Sequence, residues 1–315
     1  MARFWLLLVV FSACTPIPFL NPAESHLDPA SAGPDYLVQG EYASDAPPAG
    51  VQVVALGDGA FDAVMYRGGL PGAGWDGSPR VVVPGARDED GQVRFRGPAS
   101  LVADGKTLRG TGPDGRSLDL RRVERESPTL GAPAPAGAVV VFDGSGSESV
   151  EGAIDERGNL QAGATSRDAF RDFDLHLEFR TPFTPEGRGQ FRGNSGVYLQ
   201  DRYEVQVLDS FGLPEKDNDC GGIYKVATPR VNMSFPPLRW QTYDVEFTAA
   251  RFDAAGEKVA PARATVRHNG VVIHDDVEIP DSTGGGEAEE DTPGPLYLQD
   301  HWDPVVYRNV WVRPR

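Results

Sequence analysis

The sequence predicts an all-β protein, in which a two-sheet antiparallel sandwich of jelly-roll type follows a small all-β domain. Short β-prone runs recur from residue 36 onward, and Gly, Pro or Asp-Gly turn signals separate most of them. From residue 138 the runs lengthen, and no apolar pattern of helical period passes through them. Antiparallel strands without helices favour two packed sheets.

The first 14 residues have the features of a lipoprotein-type export signal. Arg3 precedes an apolar run too short to span a bilayer, and small residues lead into Cys14. We expect acylation of Cys14, with an ordinary secretory signal as the alternative. Either signal exports the chain, so we expect a cell-envelope protein, periplasmic or at the surface. It would contact the membrane only through its lipid anchor, with residues 15–35 as a flexible tether.

Charge and cysteine content narrow the class of protein. The chain has 46 acidic and 30 basic residues and a net charge of −16, which argues against a nucleic-acid partner. If Cys14 is acylated, Cys220 is the only remaining cysteine, and no intrachain disulfide can form. No later segment is long and apolar enough to cross a membrane.

Composition divides the exported part into three segments. Residues 36–126 read as the small all-β domain, where five Asp-Gly pairs suggest a meander of hairpins. No catalytic constellation is evident there. Residues 127–137, SPTLGAPAPAG, form a stiff Pro-rich linker, and residues 138–315 form the jelly roll.

The jelly roll contains eight predicted strands. An Asn-Gly pair at 269–270 indicates a hairpin between two of them, and the acidic, Gly-rich residues 281–291 read as a solvated loop. The predicted strands are 139–143, 173–180, 196–209, 241–249, 262–268, 271–274, 295–299 and 305–312.

Two of these strand regions carry unusual polar residues. Water-facing strand positions commonly hold Thr, Ser or Lys. Here residues 193–212 and 295–312 instead alternate apolar side chains with a set that suits sugar binding and proton transfer. That set is Glu204, Gln206, Asp209, Gln299, Asp300, His301 and Arg308. A strand face with carboxyl, amide and imidazole groups is a candidate site.

The second half resembles the 3-keto-disaccharide hydrolase family, in order and spacing, over about residues 138–315. One departure is Trp302, where the resemblance leads us to expect Gly. The motifs that carry the resemblance are FDG at 142–144, GNSGVYLQDRYEVQVLDSFG at 193–212, CGGIY at 220–224, WQTYD at 240–244, HNG at 268–270 and LQDHWDPVVYRNVWV at 298–312.

The resemblance implies a concanavalin A-like jelly roll and an unusual glycoside cleavage. A separate oxidoreductase would first oxidise the C3 hydroxyl of a glucoside to a ketone. The family then breaks the glycosidic bond by β-elimination, and some members hydrate the resulting 3-keto-glucal. Such a step needs a base near C2, a group that stabilises the enolate on O3, and an acid at the leaving oxygen. It consumes no nicotinamide.

Three residues are the candidate catalytic groups. Glu204 and His301 can each serve as base or acid, and the sequence does not rank them. Glu204 and Gln206 share a strand face, whereas Asp209 joins them only if a bulge follows Gln206. Asp209 capping the turn at 210–212 is the alternative.

The candidate substrate-binding groups lie around these residues: Asn194, Tyr198, Gln206, Lys225, Gln299, Asp300 and Arg308. We assign no cofactor with certainty. A divalent metal held by Glu204, Asp209 and His301 is an open alternative, although no familiar metal-binding spacing supports it. His176, His268 and His274 read as core or surface residues.

Two other functions compete with this interpretation. A laminarinase-type glycoside hydrolase has a bulged acidic strand, but Gln206 stands where such enzymes carry an aspartate. A non-catalytic carbohydrate-binding jelly roll is the second rival, and three ionisable groups are more than a neutral sugar usually needs.

Overall fold

The computed structural model describes residues 24–146 and 148–315. The predicted signal and Cys14 lie outside these residues. No helix in the described part of the chain is long and apolar enough to cross a membrane.

The N-terminal domain is a closed barrel of eight antiparallel strands, in which each strand pairs with the next and β1 pairs with β8. A short helix, α1 (Gly33–Val38), precedes it. The strands are β1 (Gly40–Asp45), β2 (Pro48–Gly57), β3 (Ala60–Arg67), β4 (Val81–Arg87), β5 (Val93–Arg96), β6 (Ser100–Ala103), β7 (Thr107–Thr111) and β8 (Ser117–Val123).

Each Asp-Gly pair of this domain lies between consecutive barrel strands. Asp58 and Gly59 both have positive φ, 51° and 71°, as a two-residue hairpin turn between β2 and β3 requires. The meander is therefore built as predicted. Its closure and its strands β1 and β6 were not predicted from the sequence.

The C-terminal half is a two-sheet antiparallel jelly roll of the concanavalin A-like type. Its strands are β9 (Val139–Phe142), β10 (Val150–Glu151), β11 (Leu160–Gln161), β12 (Ala164–Phe170), β13 (Phe173–Arg180), β14 (Ser195–Leu199), β15 (Tyr203–Val207), β16 (Gln241–Thr248), β17 (Arg251–Phe252), β18 (Lys258–Ala260), β19 (Ala262–His268), β20 (Val271–Ile279), β21 (Gly294–Leu298) and β22 (Val306–Pro314). A 3₁₀ helix, Gly189–Phe191, precedes β14.

Two sheets enclose one large apolar core. The first sheet has the order β10-β12-β21-β14-β15. The second has the order β11-β22-β13-β16-β19-β20, with β9 beside β22. Val197, Leu199, Val205 and Val207 of the first sheet all belong to this core. Because successive strand side chains alternate, the residues between them lie on the sheet's outer face.

The region predicted as a single strand, 196–209, is in fact a hairpin. Gln200 and Asp201 have φ of 58° and 57° and form its turn, and β15 ends at Val207. The strand pairing is regular from Tyr203 to Val207, and Asp209 lies beyond the end of β15. The sequence prediction was wrong here because Gln-Asp lacks the Asn-Gly or Asp-Gly signal that marks such turns. The hairpin sets Tyr198 directly opposite Glu204.

The barrel and the jelly roll are packed together. Phe183 and Leu238 of the jelly roll belong to the buried core of the barrel. Phe211, which is fully buried, packs with Val54 and Val64 of the barrel wall.

The segment predicted as a tether is held in place where the structure describes it. The backbone of His26 pairs with that of Phe183, and the Ser25 hydroxyl lies 3.0 Å from that of Thr184. Residues 24–35 are therefore not a free tether, because Ser25, His26 and Asp28 bind the jelly roll and Asp35 binds the barrel.

The Pro-rich linker also contacts the jelly roll. It crosses the second sheet, where Thr129 donates to Asp244 at 2.7 Å and the Gly131 amide donates to Glu178 at 2.5 Å.

Candidate active site

The outer face of the first sheet carries the candidate active site. Glu204 and Gln206 project from β15 beside Tyr198 of β14, and all three are buried. Gly196 pairs with Gln206 across the hairpin. A Cβ at Gly196 would lie 2.4 Å from Glu204 Oε1, so only glycine leaves room for this carboxyl group.

Glu204 is the most perturbed carboxyl group of the site. It is 2 % exposed, and burial raises its pKa to about 7, with only the hydrogen bond from Tyr198 opposing the shift. No neighbouring carboxylate contributes to this rise. A carboxyl group that is half protonated near neutral pH can either accept or donate a proton during catalysis.

Tyr198 connects Glu204 to two other parts of the site. Its hydroxyl lies 3.0 Å from Glu204 Oε2 and 2.8 Å from the carbonyl oxygen of Gly284. Gln299 donates its side-chain N–H to the same hydroxyl at 3.2 Å. The single hydroxyl proton of Tyr198 can therefore bond either the carboxylate or the backbone carbonyl.

A loop covers this face of the sheet. Residues 280–293, here termed the covering loop, connect β20 with β21. Thr283 Oγ1 accepts the backbone N–H of Glu204 at 2.8 Å. At Gly285, φ is +88° and a Cβ would lie 2.7 Å from the Tyr198 hydroxyl. Most of residues 281–291 are exposed, as a solvated loop predicts, but Thr283 is buried against Glu204.

A cluster of amides lies next to Glu204 around Gln206. The Gln206 amide donates to Gln190 at 3.1 Å, and the Asn194 amide donates to the same Gln190 oxygen at 3.2 Å. Gln206 Oε1, Asn194 Oδ1 and Asp219 Oδ2 are buried without a hydrogen-bond partner. Unpartnered buried acceptors are costly, so these atoms are suited to receive hydroxyl donors of a ligand.

His301 lies in the loop that follows β21. No hydrogen bond or ion pair links it to Glu204 in the described residues. Burial raises the pKa of the neighbouring Asp303, whereas the backbone N–H groups of Asn194 and Gly193 and the charge of His301 lower it. Because Asp303 also accepts the Asn194 N–H at 2.9 Å, it holds the histidine loop beside the amide cluster.

Asp300 and Trp302 shape that same loop. Asp300 is exposed, and its carboxylate accepts the backbone N–H of Trp302 at 2.8 Å. Trp302 has φ of 63°, a conformation that favours glycine. This explains why glycine was expected there, and the tryptophan imposes a backbone cost on the loop.

Asp209 and Lys225 are placed differently from the predicted site role. Asp209 forms a buried ion pair with Arg192 at 2.8 Å, and it accepts the backbone N–H of Phe211. Its contacts match the turn-capping alternative. Lys225 is exposed and lies 5.1 Å from the ring of Tyr224.

Arg308 is not part of the Glu204 site, because it lies on the second sheet. Its guanidinium donates to Glu178 at 2.6 Å, and it lies 4.0 Å from the centre of the Trp240 ring. Strand alternation predicted an outward position for Arg308, but it could not specify which sheet.

The Glu178 carboxylate anchors a polar network beneath the linker. Burial opposes ionisation of Glu178, but hydrogen bonds from His176 and Asn309 lower its pKa to about 2. Burial likewise opposes charging of His176, yet its bond to Asp244 raises the pKa above the ordinary value. This network binds the linker, which gives His176 a structural role.

The ligands proposed for a metal are not gathered into one cluster. Glu204 bonds Tyr198, whereas Asp209 bonds Arg192. Within residues 24–146 and 148–315, no group of three or more His, Cys, Asp or Glu side chains is arranged to hold a metal ion.

Several site residues were missed in the sequence: Gln190, Asp219, Tyr224, Thr283 and Asp303. Tyr224 donates its backbone N–H to the carbonyl oxygen of Glu204 at 3.0 Å. The CGGIY motif at 220–224 marked this segment for family resemblance. The others lie in loops whose packing leaves no periodic signal in the sequence.

Comparison with known proteins agrees with this architecture. A family model described as the 3-keto-alpha-glucoside-1,2-lyase-like domain matches residues 98–313. The match begins within the barrel rather than at residue 138. A crystal structure of a candidate glycosyl hydrolase from Parabacteroides distasonis has 33% sequence identity and a TM-score of 0.54. That alignment covers 58% of this chain and 86% of the other.

A second candidate glycosyl hydrolase from P. distasonis is more distant. It has 17% identity and a TM-score of 0.41, covering 57% of this chain and 94% of its own, which is too low a likeness to support an argument. The search of curated proteins gave no match.

The family match and the similar glycosyl hydrolase structure make this chain a carbohydrate-active enzyme. The chain is a member of the 3-keto-alpha-glucoside-1,2-lyase-like domain family, the 3-keto-disaccharide hydrolases.

Proposed function

We propose that this protein cleaves 3-keto-glucosides by β-elimination and that Glu204 is the base. The observation that carries the proposal is the isolated, buried carboxyl group of Glu204, whose pKa burial raises to about 7. A ketone at C3 acidifies the C2 hydrogen, so a base of this strength can remove it near neutral pH. Membership of the family supports 3-keto-glucosides as the substrate class.

In the proposed elimination, the Glu204 carboxylate takes the C2 proton, and the C2–H electron pair moves onto the C3 ketone to give an enolate with negative charge on O3. That pair then forms the C1–C2 double bond as the C3 ketone is restored and the C1–O bond breaks. His301 donates a proton to the departing oxygen. The second side-chain N–H of Gln206 and the Tyr198 hydroxyl would be the donors to O3 while negative charge develops there.

Glu204 must become accessible before a substrate can react. The covering loop contacts the backbone N–H of Glu204 through Thr283 and the Tyr198 hydroxyl through Gly284, so we propose that the loop moves aside when substrate binds. Gly284, Gly285 and Gly286 provide the backbone freedom for such a movement.

The same observation argues against a retaining hydrolase with two carboxyl groups. Such an enzyme needs carboxyl groups about 5–5.5 Å apart. A carboxylate at that distance would itself raise the pKa of Glu204, and none contributes. Asp209, the partner suggested by the sequence, is neutralised by Arg192.

Assays on one glucoside in its oxidised and unoxidised forms test this proposal. We expect turnover of the 3-keto form only. In deuterated water, hydration after elimination adds deuterium at C2 of the sugar. Equal turnover of both forms, or a sugar product that retains its original C2 hydrogen, would contradict elimination and favour direct displacement at C1.

Variants test the roles of the two residues. Glu204→Gln and His301→Ala should each lower turnover of the 3-keto form by about 10²- to 10⁴-fold. Glu151→Gln is the matched control, because Glu151 lies on an edge strand of the same sheet with its side chain 81% exposed. An unchanged rate for Glu204→Gln would remove Glu204 from the mechanism.

The cellular location of the protein is proposed from its N-terminal sequence. We propose export to the cell envelope and anchoring through acylated Cys14, on the basis of the signal-like N-terminus. A separate oxidoreductase would supply the 3-keto sugar, because β-elimination uses a ketone at C3 and does not itself form one.

A further inference from the structure

A cavity that Glu204 does not line lies at the end of β13. Its volume is about 280 Å³, and its charged lining residues are Asp155, Glu156, Arg157 and Arg180. Pro182, Leu238, Pro304 and Val306 supply apolar wall surface. The cavity therefore combines apolar walls with charged residues of both signs.

The Arg180 side chain has no hydrogen bond or ion pair within the described residues. Its guanidinium lies 5.1 Å from the centre of the Trp240 ring, which fixes the position of the group without using its donors. Burial lowers the pKa of Arg180, so the charge has lost part of its hydration. Arginine carries five N–H donors and no acceptor, and here these donors lack a partner.

Three charged residues near Arg180 have partners of their own. Arg157 pairs with Asp28 at 2.8 Å, and Arg308 pairs with Glu178 at 2.6 Å. Asp155 accepts hydrogen bonds from its own turn, at the backbone N–H of Arg157 and the side chain of Asn159. The charge of Asp155 still attracts Arg180, but within the described residues no acceptor bonds the guanidinium donors of Arg180.

We infer that this cavity binds a monocarboxylate with an apolar body, such as a small aromatic acid. A carboxylate is planar and matches the edge of a guanidinium with two parallel hydrogen bonds. A doubly charged phosphate fits less well, because Asp155 and Glu156 also line the cavity. The apolar walls would cover the hydrocarbon part of the acid.

An adjoining cavity leaves room for a longer acid. It has a volume of about 310 Å³ and shares Leu27, Asp155, Pro304 and Val306 with the first. It continues to Trp302. The two cavities together form a groove along this end of the jelly roll.

Calorimetric titration of the full chain with benzoate tests this inference. We expect saturable binding of benzoate, with benzamide and inorganic phosphate binding at least about 10-fold more weakly. Arg180→Gln should weaken benzoate binding by at least about 10-fold, and Arg180→Lys should weaken it as well because lysine lacks the planar fork. Arg109→Gln is the control, since Arg109 is an exposed barrel residue paired with Asp119.

Several results would overturn the inference of a monocarboxylate site. Absence of benzoate binding at millimolar concentration, equal binding of benzamide, or tighter binding of phosphate would each reject a monocarboxylate site. Unchanged benzoate affinity in a folded Arg180 variant would reject the role of Arg180, with folding checked by the thermal melt. Because the readout is binding, the result is independent of whether the protein cleaves 3-keto-glucosides.

Discussion

Replacing Glu204 with Gln should change how the stability of the folded chain depends on pH. Glu204 is 2 % exposed, and burial raises its pKa from 4.5 to about 7. In the unfolded chain the group regains its ordinary pKa. Glutamine preserves the shape of the side chain and removes the titration, so comparison with Glu204→Gln isolates this one group.

The direction follows from proton binding. Between pH 4.5 and about 7 the folded state holds the Glu204 proton and the unfolded state has released it. This group therefore stabilises the fold most below pH 4.5, and that contribution is lost as pH rises through about 7. The free energy involved is roughly 2 to 3 kcal/mol between about pH 5 and pH 8.

Urea unfolding followed by circular dichroism measures this effect. The free energy of unfolding of the natural chain, minus that of Glu204→Gln, should fall by this amount as the pH is raised over that interval. Glu151→Gln, which removes an exposed carboxyl group, should give a nearly constant difference. A constant difference for Glu204→Gln as well would refute the claim that burial tunes this carboxyl group.

Three further changes test other parts of the structure. Tyr198→Phe removes the hydrogen bond that lowers the pKa of Glu204, so the acidic limb of the kcat/KM profile on 3-keto substrate should move to higher pH. Phe211→Ala should lower the free energy of unfolding by about 3–5 kcal/mol, measured in urea, because the fully buried ring packs between the two domains. Cys14→Ser should shift the protein from the membrane fraction to the soluble envelope fraction, measured by fractionation and immunoblotting.

For each of these three substitutions, one result would contradict the prediction. An unshifted pH profile for Tyr198→Phe would mean that Glu204 does not set the acidic limb. A loss below about 1 kcal/mol for Phe211→Ala would mean that the domain contact is loose in solution. If the Cys14→Ser protein stays in the membrane fraction, lipid anchoring through Cys14 is contradicted.

The sequence predicted the strand content well, because period-two alternation and Asp-Gly turns are local signals. It failed at the β14–β15 hairpin, where Gln200 and Asp201 adopt positive φ without a glycine. That single turn decides that Tyr198 faces Glu204. Barrel closure also could not be predicted from local sequence patterns, since the paired strands β1 and β8 are distant in sequence.

The candidate site was only partly predictable for a related reason. Glu204, Gln206, Tyr198 and Gln299 share one face of one sheet, which alternation could suggest. Arg308 follows the same alternation on the other sheet. Residues 281–291 resemble a solvated loop in composition, yet Thr283 is buried against β15, because tertiary contacts rather than composition decide what a loop covers.

The shared core of barrel and jelly roll has a consequence for how the protein is made. All eight barrel strands are synthesised once Val123 has emerged, but Phe183 and Leu238, which complete the barrel core, follow much later. Until then a nascent barrel would keep apolar surface exposed, and such surface is prone to aggregate. For an exported chain, this favours translocation before either domain has folded, and it makes the barrel dependent on its neighbour for a finished interior.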